Sequence, residues 1–149
     1  MKLHSFLVRV CALLLLVTSQ VFAAPDFLPP EKAFRVEATW LENSNQIELE
    51  FLPAKGYYIY QESLKFQSGT QAGKLGNIKP SLPPGVEKFD ETFQKKLQVY
   101  KEPFLVFLDI KPAAGQPVNL EITLQGCAEA GICYPPMTLK FLLAGPGVK

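Results

Sequence analysis

Two cysteines near the C-terminal end, Cys127 and Cys133, are the residues of this chain whose type and spacing could do chemistry. They lie in the run Gly126-Cys127-Ala128-Glu129-Ala130-Gly131-Ile132-Cys133-Tyr134-Pro135-Pro136, with two alanines and a glycine between them. Small residues let the backbone fold back and bring the two sulfurs within bonding distance. A disulfide here could be a structural clip or a reagent for thiol exchange. Closing so short a ring removes only about 2 kcal/mol of unfolded-state entropy, against about 4.7 kcal/mol for a 100-residue loop. A chain wanting one crosslink would gain more by tying distant strands together. A short disulfide at a hairpin end is also reachable by an incoming thiolate, which must approach along the S–S axis. An inert local clip is the alternative that the spacing leaves open.

The remaining composition narrows the chemistry further. Lys2 and Arg9 form a basic start, Val10 to Val17 an apolar core, and Val21-Phe22-Ala23 a small-x-small site. This is the pattern of a secretory signal peptide, residues 1–23, cleaved after Ala23, and its apolar core is too short for a permanent anchor. Cys11 sits inside that core, without the small residues of a lipoprotein cleavage box before it, and is expected to leave with the leader. So is His4, the only histidine. The whole chain has 15 basic and 14 acidic residues, and losing Lys2 and Arg9 turns its formal charge from +1 to −1. A mature chain without histidine excludes Ser/His and Cys/His nucleophile pairs and the common zinc sites that need an imidazole. Two cysteines alone make a poor metal site, so neither metal nor other cofactor is expected. Near-neutral charge offers no basic stripe for nucleic acid or an anionic lipid surface. Residues 24–149 then read as one exported domain with one core, in an oxidising compartment where a cysteine pair normally forms a disulfide.

The elements that must position the cysteines have period two. Ala24 to Pro30 reads as a proline-rich arm. Phe34, Val36 and Ala38 alternate with polar residues, as do Ile47, Leu49 and Phe51, and Gly56-Tyr57-Tyr58-Ile59-Tyr60 continues the pattern after a turn at Pro53 to Gly56. Leu64 and Phe66 extend it until Ser68 to Gly73 interrupts. Three prolines and a glycine between Lys79 and Gly85 predict a surface loop. Phe104 to Ile110 reads as an apolar strand buried on both faces. After a turn at Pro112 to Pro117, Val118, Leu120, Ile122 and Leu124 alternate again and lead into Gly126-Cys127, and Met137 to Leu142 forms a last strand. The cysteines are thus expected at a hairpin end between the last two strands. Seven to nine short strands without a helical stripe predict an all-β, immunoglobulin-like antiparallel sandwich, a single domain, with a small barrel as the other possibility.

The run from Gly126 to Pro136 closely resembles the active-site segment of a known family, the periplasmic N-terminal domains of the bacterial thiol:disulfide interchange protein DsbD. Phe27-Leu28-Pro29 with Ala33-Phe34, Gly56 to Tyr60, Leu82-Pro83-Pro84-Gly85, Asp90-Glu91-Thr92-Phe93 and Val99-Tyr100 resemble it in the same order, so the likeness covers nearly the whole mature chain. It implies an immunoglobulin-like domain that takes electrons from a membrane-embedded thiol-disulfide transporter domain. It would pass them to periplasmic thioredoxin-fold proteins, disulfide isomerases and cytochrome c maturation factors among them. Cys127 and Cys133 would be the redox pair, with Cys133 the exposed partner-bonding thiol and Cys127 resolving. A cap loop at Asp90 to Phe93 would shield them with Phe93 as lid, although this loop is one residue longer than is usual in the family and lacks the glycine that often follows the aromatic. The family's familiar members continue into further domains, whereas this sequence stops at Lys149.

Other residues divide between site and packing. Tyr58 and Tyr60 lie two apart and face one side of a strand. Packing is the plain reading of both, and the resemblance makes them active-site neighbours, with Tyr57 turned the other way. Asp90 and Glu91 could accept protons, or be solvated surface carboxylates. Glu129 would raise a nearby thiol's pKa by like-charge repulsion. Trp40 reads as core, and the resemblance puts Phe27 near the cap. A monomer exchanging thiols only with docked partners is expected. The competing reading is a secreted immunoglobulin-like binding module with a structural disulfide.

Overall fold

The computed structural model describes residues 26–41, 44–70, 76–91, 93–112 and 116–145. The expected leader with His4 and Cys11 lies outside the described residues. So do Thr92 of the expected cap and parts of the two turns expected at Ser68 to Gly73 and Pro112 to Pro117.

After the arm, a one-turn helix α1 (Pro30–Ala33) begins with proline at a position where its missing N–H costs nothing. The strands follow as β1 (Phe34–Trp40), β2 (Gln46–Pro53), β3 (Tyr57–Tyr60), β4 (Lys65–Thr70), β5 (Gly76–Ile78) and β6 (Val86–Asp90). Then come β7 (Lys95–Tyr100), β8 (Phe104–Asp109), β9 (Val118–Leu124), β10 (Gly126–Ala128) and β11 (Met137–Leu143). A 3₁₀ turn, Gln61–Ser63, joins β3 to β4. All pairings are antiparallel, in sheets of order β1-β2-β8, β11-β9-β4-β5 and β10-β3-β7-β6.

The alternation seen in sequence builds the core. Ile47, Leu49 and Phe51 of β2 and Val106 and Leu108 of β8 face inward, against Phe66 of β4 and Leu120, Ile122 and Leu124 of β9. The Phe51 and Phe66 rings meet edge-on at 6.3 Å and join the two sheets. The architecture is the immunoglobulin-like antiparallel sandwich. A second, smaller cluster of Tyr58, Tyr60, Leu97, Val99 and Cys127 lies on one face of the third sheet.

Four local expectations change. Phe104 to Ile110 is not buried on both faces, because β8 is an edge strand with one covered face, and Leu105 and Phe107 are each 43% exposed. The described residues form eleven strands rather than seven to nine, because β5 and β10 are three residues long and the cap region is itself the β6-β7 hairpin. Strand β4 runs through Ser68 to Thr70, where an interruption was expected. Finally, β9 and β11 do pair with each other, but the chain between them leaves their sheet at Gln125, and β10 pairs with β3 in another one. Gln125 is held at this crossing by its N–H donating to Ser63 Oγ at 2.9 Å and its carbonyl accepting from Tyr60 N–H at 3.0 Å.

The crossing depends on Gly126. A Cβ there would collide with the Tyr58 carbonyl oxygen and come within 2.5–2.7 Å of the Phe34 ring, which is 1% exposed. Gly126→Ala is therefore expected to cost about 1–3 kcal/mol of unfolding free energy by overpacking. Gly76→Ala, whose methyl would meet only Ser68 O at 3.9 Å, should stay within about 0.5 kcal/mol. Urea unfolding of the two variants checks the difference.

Candidate active site

Cys127 is the middle residue of β10 and pairs with Tyr58 across to β3, so the two share a sheet face. The chain then turns at Gly131, whose φ of +102° is the left-handed conformation glycine adopts without strain. It returns to oppose Cys133 to Cys127 as an isolated bridge. The two form a disulfide, S–S 2.09 Å and Cα–Cα 4.0 Å. The strand position makes the two cysteines unequal: Cys127 is 0% exposed inside the small aromatic cluster, whereas Cys133 lies in an exposed stretch with Ile132, itself 41% exposed.

Tyr60 connects this pair to the β6-β7 hairpin. Its hydroxyl lies 3.1 Å from Cys127 Sγ and 3.8 Å from Cys133 Sγ, and it donates a short hydrogen bond to Asp90 Oδ2. Asp90, only 4% exposed, uses its other oxygen to accept from Phe93 N–H at 2.9 Å and so shapes the turn of the hairpin. Gln94 takes φ +53° there, and its side-chain amide donates to Glu91 O at 2.6 Å. The Phe93 ring, half exposed, stands edge-on to Tyr60 at 6.1 Å, and Tyr58 stands edge-on to Tyr60 at 5.4 Å. Burial, followed by the bond to Asp90, raises the Tyr60 pKa far above its ordinary value, so this phenol stays protonated.

Of the residues singled out from sequence, Cys127, Cys133, Tyr58, Tyr60, Asp90 and Phe93 are brought together. Phe93, expected as the lid, packs on Tyr60. Glu91 is exposed and contributes its backbone carbonyl to the turn. The Glu129 carboxylate is engaged by Lys101 Nζ at 2.6 Å, which lowers its pKa and offsets the charge expected to act on the thiols. Tyr57 points into the main core as expected, and Trp40 packs against that core. Phe27, which the resemblance put near the cap, packs against the main core.

Two cations stand over the rings of the site. Lys88 Nζ sits 5.1 Å from the centre of the Tyr58 ring, and Lys95 Nζ sits 5.8 Å from that of Phe93 while pairing with Glu62 at 3.3 Å. Their signal was the strand period, since Lys88 lies two before Asp90 and Lys95 opposes Asp90 across the hairpin, all on one face. Among the described residues no cluster of three or more His, Cys, Asp or Glu could hold a metal ion. The arrangement offers an exposed cysteine, a buried cysteine and a hydroxyl–carboxylate pair beside the buried one; thiol–disulfide exchange needs access to one sulfur and a second thiol to resolve the mixed disulfide.

Comparison with known proteins bears on the same segment. Residues 24–145 match the family described as thiol:disulfide interchange protein DsbD, N-terminal. The thiol:disulfide interchange protein DsbD of Ralstonia nicotianae is 42% identical over 119 residues, 80% of this chain and 19% of that protein. DsbD of Neisseria meningitidis is 38% identical over 143 residues, 95% of this chain and 23% of that protein. The chain thus spans roughly a fifth of the length of these curated relatives. The crystal structure of the reduced N-terminal domain of Neisseria meningitidis DsbD superimposes with a TM-score of 0.67 at 37% identity, covering 82% of this chain and 93% of that one. The DsbD N-terminal domain of the same organism, in a complex with the PilB N-terminal domain, gives 0.62 at 35% identity, covering 84% and 97%. With the match extending from the arm through β11 and enclosing both cysteines, the chain belongs to the family of DsbD N-terminal domains.

Proposed function

We propose that this domain is a periplasmic protein-disulfide reductase module that relays electrons through Cys127 and Cys133. The observation that supports the reading is the unequal exposure of the two bonded cysteines, Cys133 in an exposed turn and Cys127 enclosed beside Tyr60. Residues 1–23 would direct export and be removed. The dithiol form would be regenerated by a membrane-embedded thiol-disulfide transporter domain. The acceptors would be thioredoxin-fold proteins, including disulfide isomerases and a cytochrome c maturation factor. The complex of the related Neisseria domain with the PilB N-terminal domain supports a protein partner. The domain would work as a monomer, with no cofactor beyond its own cysteines.

In the reducing step the Cys133 thiolate attacks a partner disulfide, forming a mixed disulfide and releasing one partner thiolate. The Cys127 thiolate then attacks Cys133 Sγ, breaking the mixed bond, so the partner leaves as a dithiol and the domain as a disulfide. The Cys127 proton has an acceptor, since the Tyr60 oxygen within 3.1 Å can take it as the Tyr60 hydroxyl proton shifts onto Asp90 Oδ2. The donor reverses these steps by attacking Cys133 Sγ. Phe93 serves as the lid and Tyr58 as a wall, with Glu91 and Glu129 lesser parts of the rim.

Cys127→Ser should leave the partner attached to Cys133 and accumulate covalent adducts on non-reducing gels of periplasmic extracts, while Cys133→Ser yields none. A wild-type disulfide that resists reduced partner proteins, with no adducts from either variant, would instead support a binding module. Phe93→Ala is expected to speed reduction of the disulfide by glutathione severalfold in stopped-flow measurements, because the ring next to Tyr60 is lost.

Tyr60 also predicts a pH dependence. Its folded-state pKa is raised above the unfolded value of about 10, so its proton is held more tightly when folded. That stabilisation is fully present below about pH 10 and is lost as pH rises toward the folded value. Denaturant unfolding of Tyr60→Phe should therefore show lower stability at neutral pH and a shallower fall above about pH 10 than the wild type.

A further inference from the structure

The segment carrying Cys133 is pinned on both sides by bonds that do not involve sulfur. Before it, Ile132 O accepts from Ala128 N–H at 2.7 Å. After it, Tyr134 N–H donates to Gly126 O at 3.0 Å, and Tyr134 O accepts from Gln125 Nε2 at 3.2 Å. The Tyr134 hydroxyl then reaches to the N-terminal arm and donates to Leu28 O at 2.6 Å, while Leu28 N–H donates to the Tyr57 hydroxyl at 2.7 Å. One arm residue is thus held through both backbone groups by two tyrosines. Tyr134 adjoins Cys133, and Tyr57 adjoins Tyr58, the strand partner of Cys127. Both tyrosine rings meet the buried Phe34 ring edge-on, at 5.4 and 5.9 Å, which fixes the phenols in place.

We propose that this clamp on Leu28 is a positioning device for the cysteine pair, by which the N-terminal arm keeps the two thiols apposed after reduction. The proposal rests on reading Cys127 and Cys133 as an exchanging pair. Its physical content is effective concentration: thiols on a pinned backbone re-form their bond more readily than thiols on a loop free to open. The coupling is reciprocal, so a clamp that favours the disulfide is itself tightened by the disulfide. Tyr134 and Tyr57 are then positioning residues, acting through the backbone of the arm.

The test is the equilibrium of the protein with glutathione, in which the Cys127–Cys133 disulfide and two glutathione thiols exchange for the dithiol and one glutathione disulfide. Tyr134→Phe removes the donor to Leu28 O and keeps the ring against Phe34. It is expected to shift the equilibrium about threefold to tenfold toward the dithiol, a potential about 14–30 mV less negative. Tyr100→Phe, which removes a hydroxyl bond to Pro83 O at 2.7 Å, should leave the equilibrium unchanged even where it lowers stability. A Tyr134→Phe equilibrium equal to wild type, or an equal shift in Tyr100→Phe, overturns the proposal. Should Tyr134→Phe not fold, hydrogen exchange at the Leu28 amide of the unaltered protein reads the same coupling. Slower exchange in the disulfide form than in the dithiol form is expected, and equal rates overturn the proposal. Failure of the redox reading is seen separately, as the absence of adducts in the trapping experiment, whatever the equilibrium.

Discussion

Everything at the site follows from one short strand pairing, β10 against β3. Three residues, Gly126 to Ala128, leave the sheet of β9 and lie alongside Tyr57 to Ile59, in a space that a side chain at Gly126 would fill. Strand alternation then decides which groups point where. Cys127 is turned to the Tyr58 and Tyr60 face, while Ala128 and Gly126 face the main core with Tyr57 and Ile59. The glycine turn at Gly131 brings Cys133 back from the solvent side. A disulfide closed in this way joins a cysteine sealed in the fold to one in an exposed turn.

The β6-β7 hairpin supplies what the cysteine loop lacks. It carries no cysteine, yet it delivers a buried carboxylate, a half-exposed aromatic ring and two lysines to the same face. Asp90 is central because its two oxygens serve different ends, one bonding Tyr60 and the other Phe93 N–H. The chemical environment of Cys127 and the shape of the β6-β7 turn are thereby tied to a single side chain. A buried carboxylate is costly without such bonds. Lys95, Lys88 and Lys101 sit at the rim, and because Lys95 and Lys101 are paired with Glu62 and Glu129, the rim is close to charge balance.

Much of this was legible in the residues. The period-two pattern of Ile47, Leu49 and Phe51 and of Val118 to Leu124 identified the sandwich core, because a strand with one buried face must alternate. The short cysteine interval with its glycine announced the disulfide, and Tyr58 and Tyr60, two apart, could be placed on one face. Phe104 to Ile110 misled because apolar residues also occupy the exposed side of an edge strand, where composition alone does not report burial. The strands flanking the expected cap loop show no clean alternation because Lys96 and Gln98 are polar on one face of β7 and Lys95 is polar and exposed on the other.

The sequence by itself determined the class of fold and the pairing of the two cysteines, since these follow from local pattern and residue chemistry. Only the tertiary structure decided which sulfur is buried, that Asp90 belongs to Tyr60 rather than to solvent, that Glu129 is engaged by Lys101, and that Leu28 is fastened to Tyr57 and Tyr134. Those are contacts between residues separated by 28 to 106 positions. Strand register and the crossing at Gln125 create them, through long-range pairings that no local window of the chain contains.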